Sequence, residues 1–186
     1  MDKNIIDMEL LKIPYRDHFM NYGSNFYRMH RDFPDQLNDE ERFLLSEWGL
    51  PTRAVPFFYF DLHLSELRAV ELEEGILVLG SAFEIAGFDY LYLDRNHQVM
   101  VRLQDGNDLF VNSSLRQLMN SIYAYSTWLE GLEERLVDEV EIDVGPDDTF
   151  ELFYSIRECD LRAVSRGAVW HYIVNTEMNI ETIMVD

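Results

Sequence analysis

The residue types best suited to metal binding or covalent chemistry are few in this chain: five histidines (His18, His30, His63, His97 and His171) and one cysteine, Cys159. None stands in the HExxH or CxxC-type spacing that places metal ligands on one face. Asp61 and His63, two residues apart, share one face of an expected strand and could offer two ligands. A structural metal site needs four, and no third or fourth is evident. Cys159 and His171 could act as nucleophile and base, but no local signature surrounds either, and a buried idle thiol is the simpler reading. Gly75 and Gly80 lack the strand-to-helix context and the lysine of a phosphate-binding loop. Asn112-Ser113-Ser114 brings an amide and two hydroxyls together, and its setting decides whether it is a site or a junction. The chain is therefore expected to hold no metal and no cofactor and not to be an enzyme.

That setting is an ordered series of elements. In DQLNDEERFLLSEWGLP, Asn38 or Asp39 can start a helix, acids fill its first turn, and Phe43, Leu44, Leu45 and Trp48 form its apolar face. Gly49 is expected to end it in a left-handed conformation, and Pro51 prevents continuation. Before it, residues 1–33 have no strong period and read as short helices or irregular structure. After it, AVPFFYFDLHL and GILVLGSAF read as strands. YLYLDRNHQVMVRL reads as a hairpin turning on Asp94, Arg95, Asn96 and His97, and Asp105-Gly106 as the turn into a strand ending at Val111. Leu115, Leu118, Met119, Ile122 and Tyr123 then follow helical spacing, extended by Leu129 and Leu132. Ser114 with Gln117 fits a capping box, with Ser113 as the alternative cap. Tyr123, Tyr125 and Trp128 fall on this helix, where most of the strip belongs to the core. Gly145-Pro146 breaks the chain before a further helical region, TFELFYSIRECDLRAV. The apolar stretch GAVWHYIV after it fits a strand or a helix. Consecutive short strands joined by turns imply an α+β fold with a mostly antiparallel sheet.

Charge narrows the partners. The 186 residues carry 35 acids against 15 Lys plus Arg, a formal net charge of -20, and only two of the cations, Lys3 and Lys12, are lysines. Such a surface repels phosphate backbones and anionic membranes and attracts basic proteins. Between Trp128 and Asp160, twelve acids face two arginines, Arg135 and Arg157, so half the net charge falls in under a fifth of the chain. A charge run is usually a solvated helix face; one this dense is the best candidate for meeting a cationic partner. Glu130, Glu133, Glu134, Asp138, Glu139 and Glu141 are the candidate partner-binding residues. No apolar run approaches the ~20 residues that span a bilayer, and MDKNIIDMELLK does not read as a signal peptide. With a lone cysteine, a cytoplasmic protein is expected.

The order FLLSEWGLP, VPFFYF, ILVLGSA, YLYLDRNHQVMVRL and LFVNSSLRQLMNSIYAY resembles the SUKH superfamily of bacterial immunity proteins, and is most similar to the branch with GLP before a Phe-rich strand and FVNSS before a long helix. Gly49, Leu50 and Pro51 match the first motif; Phe110, Asn112, Ser113 and Ser114 match the second. Asp160 and Ala163 ahead of Trp170 resemble that branch's C-terminal pattern. The chain departs from it in having Arg95-Asn96-His97 where many relatives turn on a glycine. The resemblance implies one domain over 1–186, with a family-like core at about 40–172 behind an N-terminal segment of 1–37. It further implies a twisted, mostly antiparallel sheet with helices packed around it, and a non-enzymatic protein that neutralises a cognate polymorphic toxin, such as a nuclease or nucleic-acid deaminase. The alternative is a regulatory or scaffold module that recognises a housekeeping partner. Oligomeric state is left open.

Overall fold

The computed structural model describes His18 and residues 26–29, 37–54, 58–60, 75–82, 88–136 and 145–178; for 82, 88–89, 133–136 and 177–178 the description is of the backbone. The architecture is α+β. Six strands form one antiparallel meander in chain order: β3 (Arg53–Ala54), β4 (Phe58–Tyr59), β5 (Leu77–Ala82), β6 (Phe88–Leu93), β7 (Val99–Leu103) and β8 (Asp108–Asn112). A separate two-residue ladder joins β1 (Phe26–Tyr27) to β2 (Leu50–Pro51). The helices are α1 (Asp39–Phe43), which runs into a π-helical turn at Leu44–Trp48, then α2 (Leu115–Leu136), α3 (Pro146–Cys159) and α4 (Val169–Met178).

Strand alternation splits the sheet between two apolar layers. Leu77, Leu79, Leu91, Leu93, Val99, Val101 and Val111 enter the main core with Leu115, Leu118, Met119 and Ile122 of α2, Leu152 and Ile156 of α3, and Trp170, Ile173 and Val174 of α4. The intervening positions Val78, Tyr90 and Tyr92 join Ile76 in a smaller cluster, as the period of two requires. Arg102 lies over the rings of Tyr90 and Tyr92 at 5.6 Å from each and pairs with Asp108 at 2.5 Å. Burial pushes the Tyr92 hydroxyl up to about 12.

Local chemistry explains the joints. Asn38 starts α1 with a reciprocal box: its side chain accepts the Glu41 N–H at 2.9 Å, and the Glu41 carboxylate accepts the Asn38 N–H at 3.0 Å. Gly49 stops the helix at φ 84, donating its N–H to the Leu44 carbonyl at 2.8 Å. A Cβ there would lie 2.9 Å from the Tyr27 carbonyl oxygen, so both the positive φ and the close approach call for glycine. Leu50-Pro51 then pairs with Phe26–Tyr27, which makes the tripeptide both a helix stop and a strand start. Within the N-terminal region that reads as short helices or irregular structure, residues 26–27 are therefore extended.

The β6–β7 turn forms without glycine. Asp94 Oδ1 accepts the N–H groups of Asn96 at 2.9 Å and Gln98 at 2.7 Å, and His97 takes φ 63. The His97 Nδ1 meets the Glu41 carboxylate at 2.9 Å, tying the turn to the start of α1, and Glu40 pairs with Arg116 to join α1 to α2. Two boundaries differ from the expected ones. The strand expected to end at Val111 includes Asn112, and the helix expected through Val164 stops at Cys159. The reason for the second is Asp160, which leaves the helix in an extended conformation and turns its carboxylate inward. Of the GAVWHYIV stretch, residues 169–174 are helical, as the first part of α4, and Gly167 and Ala168 belong to the turn before it.

Candidate partner-binding face

Asn112-Ser113-Ser114 is a junction. Ser114 starts α2: its Oγ accepts the Gln117 N–H at 3.2 Å and donates to Gln117 Oε1 at 3.1 Å. Its carbonyl accepts the Leu118 N–H at 3.0 Å. Gln117 thus returns to the Ser114 hydroxyl instead of the Ser114 N–H, and the box is half formed. Asn112 is fully buried. Its carbonyl accepts the Trp170 indole N–H at 2.8 Å, and its amide donates to Ser121 Oγ at 3.1 Å and to Asp160 at 3.4 Å. Asp160 also accepts the Ser113 N–H at 2.5 Å, the Ser113 hydroxyl at 3.1 Å and the Arg162 N–H at 3.0 Å. Buried polar groups that satisfy one another in this way fix one arrangement of the elements carrying them, here β8, α2, α4 and the α3–α4 connection. Phe110 is held from the same connection, with Arg162 over its ring at 4.3 Å. Gly49, Asn112, Ser113 and Ser114 lie at joints between elements; Leu50 and Pro51 form β2, Phe110 is in the middle of β8 and Trp170 is in the first turn of α4.

The pairs considered for chemistry fare differently. Asp61 and His63 lie outside the described residues. Burial pushes the Cys159 thiol up to about 11, with Glu158 and Asp160 adding to the shift, which is the opposite of nucleophile activation. His171 Nε2 is engaged by the Asn175 side chain at 3.0 Å, one turn along α4. Among the described residues, no group of three or more His, Cys, Asp or Glu side chains is placed to hold a metal ion.

The acid-rich stretch separates into parts. Asp138, Glu139, Glu141 and Asp143 lie outside the described residues, and Glu133 and Glu134 are placed by the backbone of α2 alone. Glu130 faces inward to a partner of its own: His18 Nδ1 lies 3.2 Å from its carboxylate, while His18 Nε2 meets Ser126 Oγ at 2.7 Å and the ring stands edge-on to Tyr123. Asp148 accepts the Gly145 N–H at 3.0 Å at the start of α3. Asp160 is the buried hub already described. Asp147, Glu151 and Glu158 remain exposed, all on α3.

On that same helix surface stand two exposed aromatics, Phe150 at 47 % and Tyr154 at 54 % of full exposure, one turn apart. The inner side of α3 buries Thr149, Leu152 and Ile156, so its outer side is the remaining half of an amphipathic helix that carries rings where charge alone would suffice. Leu161 and Tyr172, also exposed, follow in the α3–α4 connection and α4. By contrast Tyr125 is buried, and Trp128 donates its indole N–H to the Asp148 carbonyl at 2.8 Å. Sequence reasoning passed over Phe150 and Tyr154 because one-sided burial of α3 is not visible in a segment apolar on several sides. The signal that was present is their i, i+4 spacing amid acids.

No family model matches the chain, and no curated protein or solved structure matches it significantly. Among the described residues no helix is long and apolar enough to cross a membrane.

Proposed function

We propose that this protein is a non-enzymatic immunity protein that binds a basic cognate toxin, a nuclease or nucleic-acid deaminase, through the outer face of α3. The observation that carries the reading is the pairing of Phe150 and Tyr154 with Asp147, Glu151 and Glu158 on one exposed helix surface, in a chain of net charge -20. Enzymes that act on nucleic acids present cationic clefts to phosphates, and an acidic surface competes for such a cleft with fast, salt-sensitive association. Aromatic rings beside the acids supply the desolvated anchors that acids cannot. The order of motifs that resembles the SUKH superfamily supports the same reading.

The test is co-expression with the product of the neighbouring open reading frame, purification of any complex, and binding kinetics. Tyr154→Ala combined with Phe150→Ala should raise the dissociation rate, weakening the complex by about 100-fold if both rings are anchors. Asp147→Lys with Glu151→Lys should slow association, mainly at low salt. Wild-type kinetics in both variants would remove α3 from the account. Capture of a housekeeping protein in place of the toxin would favour a regulatory or scaffold role.

A further inference from the structure

Between α2 and α3 runs an open groove of about 260 Å³, lined by Thr127, Trp128, Gly131 and Leu132 on one side and Asp148 and Glu151 on the other. Gly131 is its most informative residue. It sits in the interior of a 22-residue helix without a positive φ, is exposed, and a Cβ there would meet none of the described residues within 4 Å. A helix-interior glycine costs about 1 kcal/mol relative to alanine. Neither turn geometry nor close packing against the described residues accounts for that cost. Such an opening leaves room for close approach by a bound group.

The lining states what that group is. Trp128 is pinned by its hydrogen bond to the Asp148 carbonyl, so its ring is a fixed wall. Leu132 adds a buried apolar floor, and Glu151 stands exposed at the lip with Asp148 beside it. An apolar and aromatic slot edged by carboxylates suits a flat cation on an aliphatic stem: the guanidinium stacks on an indole and pairs with a carboxylate, and the methylenes cover the leucine. The charge of this chain disfavours an anionic ligand, and it also disfavours a second copy presenting its own acids. We infer that the Gly131 groove receives an arginine side chain presented by the protein partner. The inference rests on the binder reading above and names the partner chemistry recognised next to Phe150 and Tyr154.

The experiment uses the full chain and model amides, so it does not depend on the toxin. In ¹⁵N-labelled protein, the indole N–H signal of Trp128 is followed during titration with N-acetylarginine methylamide, and separately with its neutral isostere N-acetylcitrulline methylamide. The expected result is a saturable movement with the arginine amide and affinity roughly fivefold weaker for the citrulline amide, the difference one carboxylate contact makes near a surface. Gly131→Leu, which fills the groove from a helix-favouring position, should abolish the movement while the circular dichroism of the helices is retained. Glu151→Gln should bring the two amides to equal affinity. Equal affinity of both amides for the wild type, or undiminished binding in Gly131→Leu, overturns the inference. If the arginine amide fails to bind while the Phe150 and Tyr154 variants still weaken the toxin complex, the groove assignment falls and the α3 face stands. If the amide binds as expected and those variants leave the complex untouched, the reverse holds.

Discussion

Asp160 accepts the backbone N–H of Ser113 at 2.5 Å across 47 residues of chain, so the carboxylate that ends α3 is also the group that completes the start of α2. Removing it should be costly for a stated reason. Asp160→Ala leaves the N–H groups of Ser113 and Arg162 without their acceptor in a partly buried setting and takes one partner from the buried Asn112 amide, and an expected loss of about 1–3 kcal/mol follows. Trp170→Phe removes one donor to Asn112 and should cost about 1–3 kcal/mol. Denaturant midpoints measure both, and a double variant no worse than Asp160→Ala alone would show one coupled network. Near-wild-type midpoints would show that the junction is held by apolar packing instead.

Two glycines should respond in opposite directions. At Gly80, beside the irregularity in the β5–β6 register, an added Cβ would fall 2.0 Å from the Tyr59 carbonyl oxygen. Gly80→Ala must push β4 and β5 apart and is expected to destabilise by more than about 2 kcal/mol. Gly131→Ala meets none of the described residues within 4 Å and should stabilise by about 0.5–1 kcal/mol through helix propensity. Melting temperatures shifting in the same direction for both would contradict the geometry.

Acid should lower folding stability through His18. Burial holds its imidazole below the ordinary histidine range, and Glu130 opposes this less strongly. The unfolded chain then takes up a proton more readily than the folded one, so stability rises with pH in this window. The contribution is present above the ordinary value of 6.5, is lost as pH falls through it, and stops changing once the lowered folded value is passed. The predicted signature is a wild-type stability drop from about pH 7 to about pH 5 that is smaller in His18→Gln. Parallel pH profiles would mean that His18 does not titrate differently on folding.

Cys159 should be a slow thiol. With its titration pushed up to about 11, the thiolate is scarce at neutral pH. Reaction with an aromatic disulfide reagent should lag far behind that of a free cysteine at pH 8 and accelerate toward the raised value. A rate matching that of a free thiol at pH 8 would show that the burial is not maintained in solution.

Much of the fold was legible because its signals are local. The Asn38 cap, the Gly49 stop, the Asp94–His97 turn and the Ser114 start each rest on residues within five positions of one another. What was not legible is long-range. Nothing near Asp160 announces that its carboxylate belongs to Ser113, and that pairing is what ends α3 at Cys159. Likewise nothing near Glu130 shows that His18 will reach it, although that contact takes an acid out of the surface stretch. The exposed pair Phe150 and Tyr154 depends on which side of α3 the core occupies, a fact set by Leu152 and Ile156 packing against the rest of the molecule. The hairpin without glycine was the apparent irregularity, and Asp94 with Glu41 accounts for it.

The polar junction at Asn112 also sets an order of events during synthesis. Its partners Asp160 and Trp170 are made 48 and 58 residues later. Until those residues leave the ribosome, the sheet and α2 can pair and collapse, yet the centre of their junction holds an amide with its carbonyl unanswered. Completion of this junction is therefore tied to the arrival of Asp160 and Trp170, and a nascent chain arrested before Trp170 is expected to expose it to proteases.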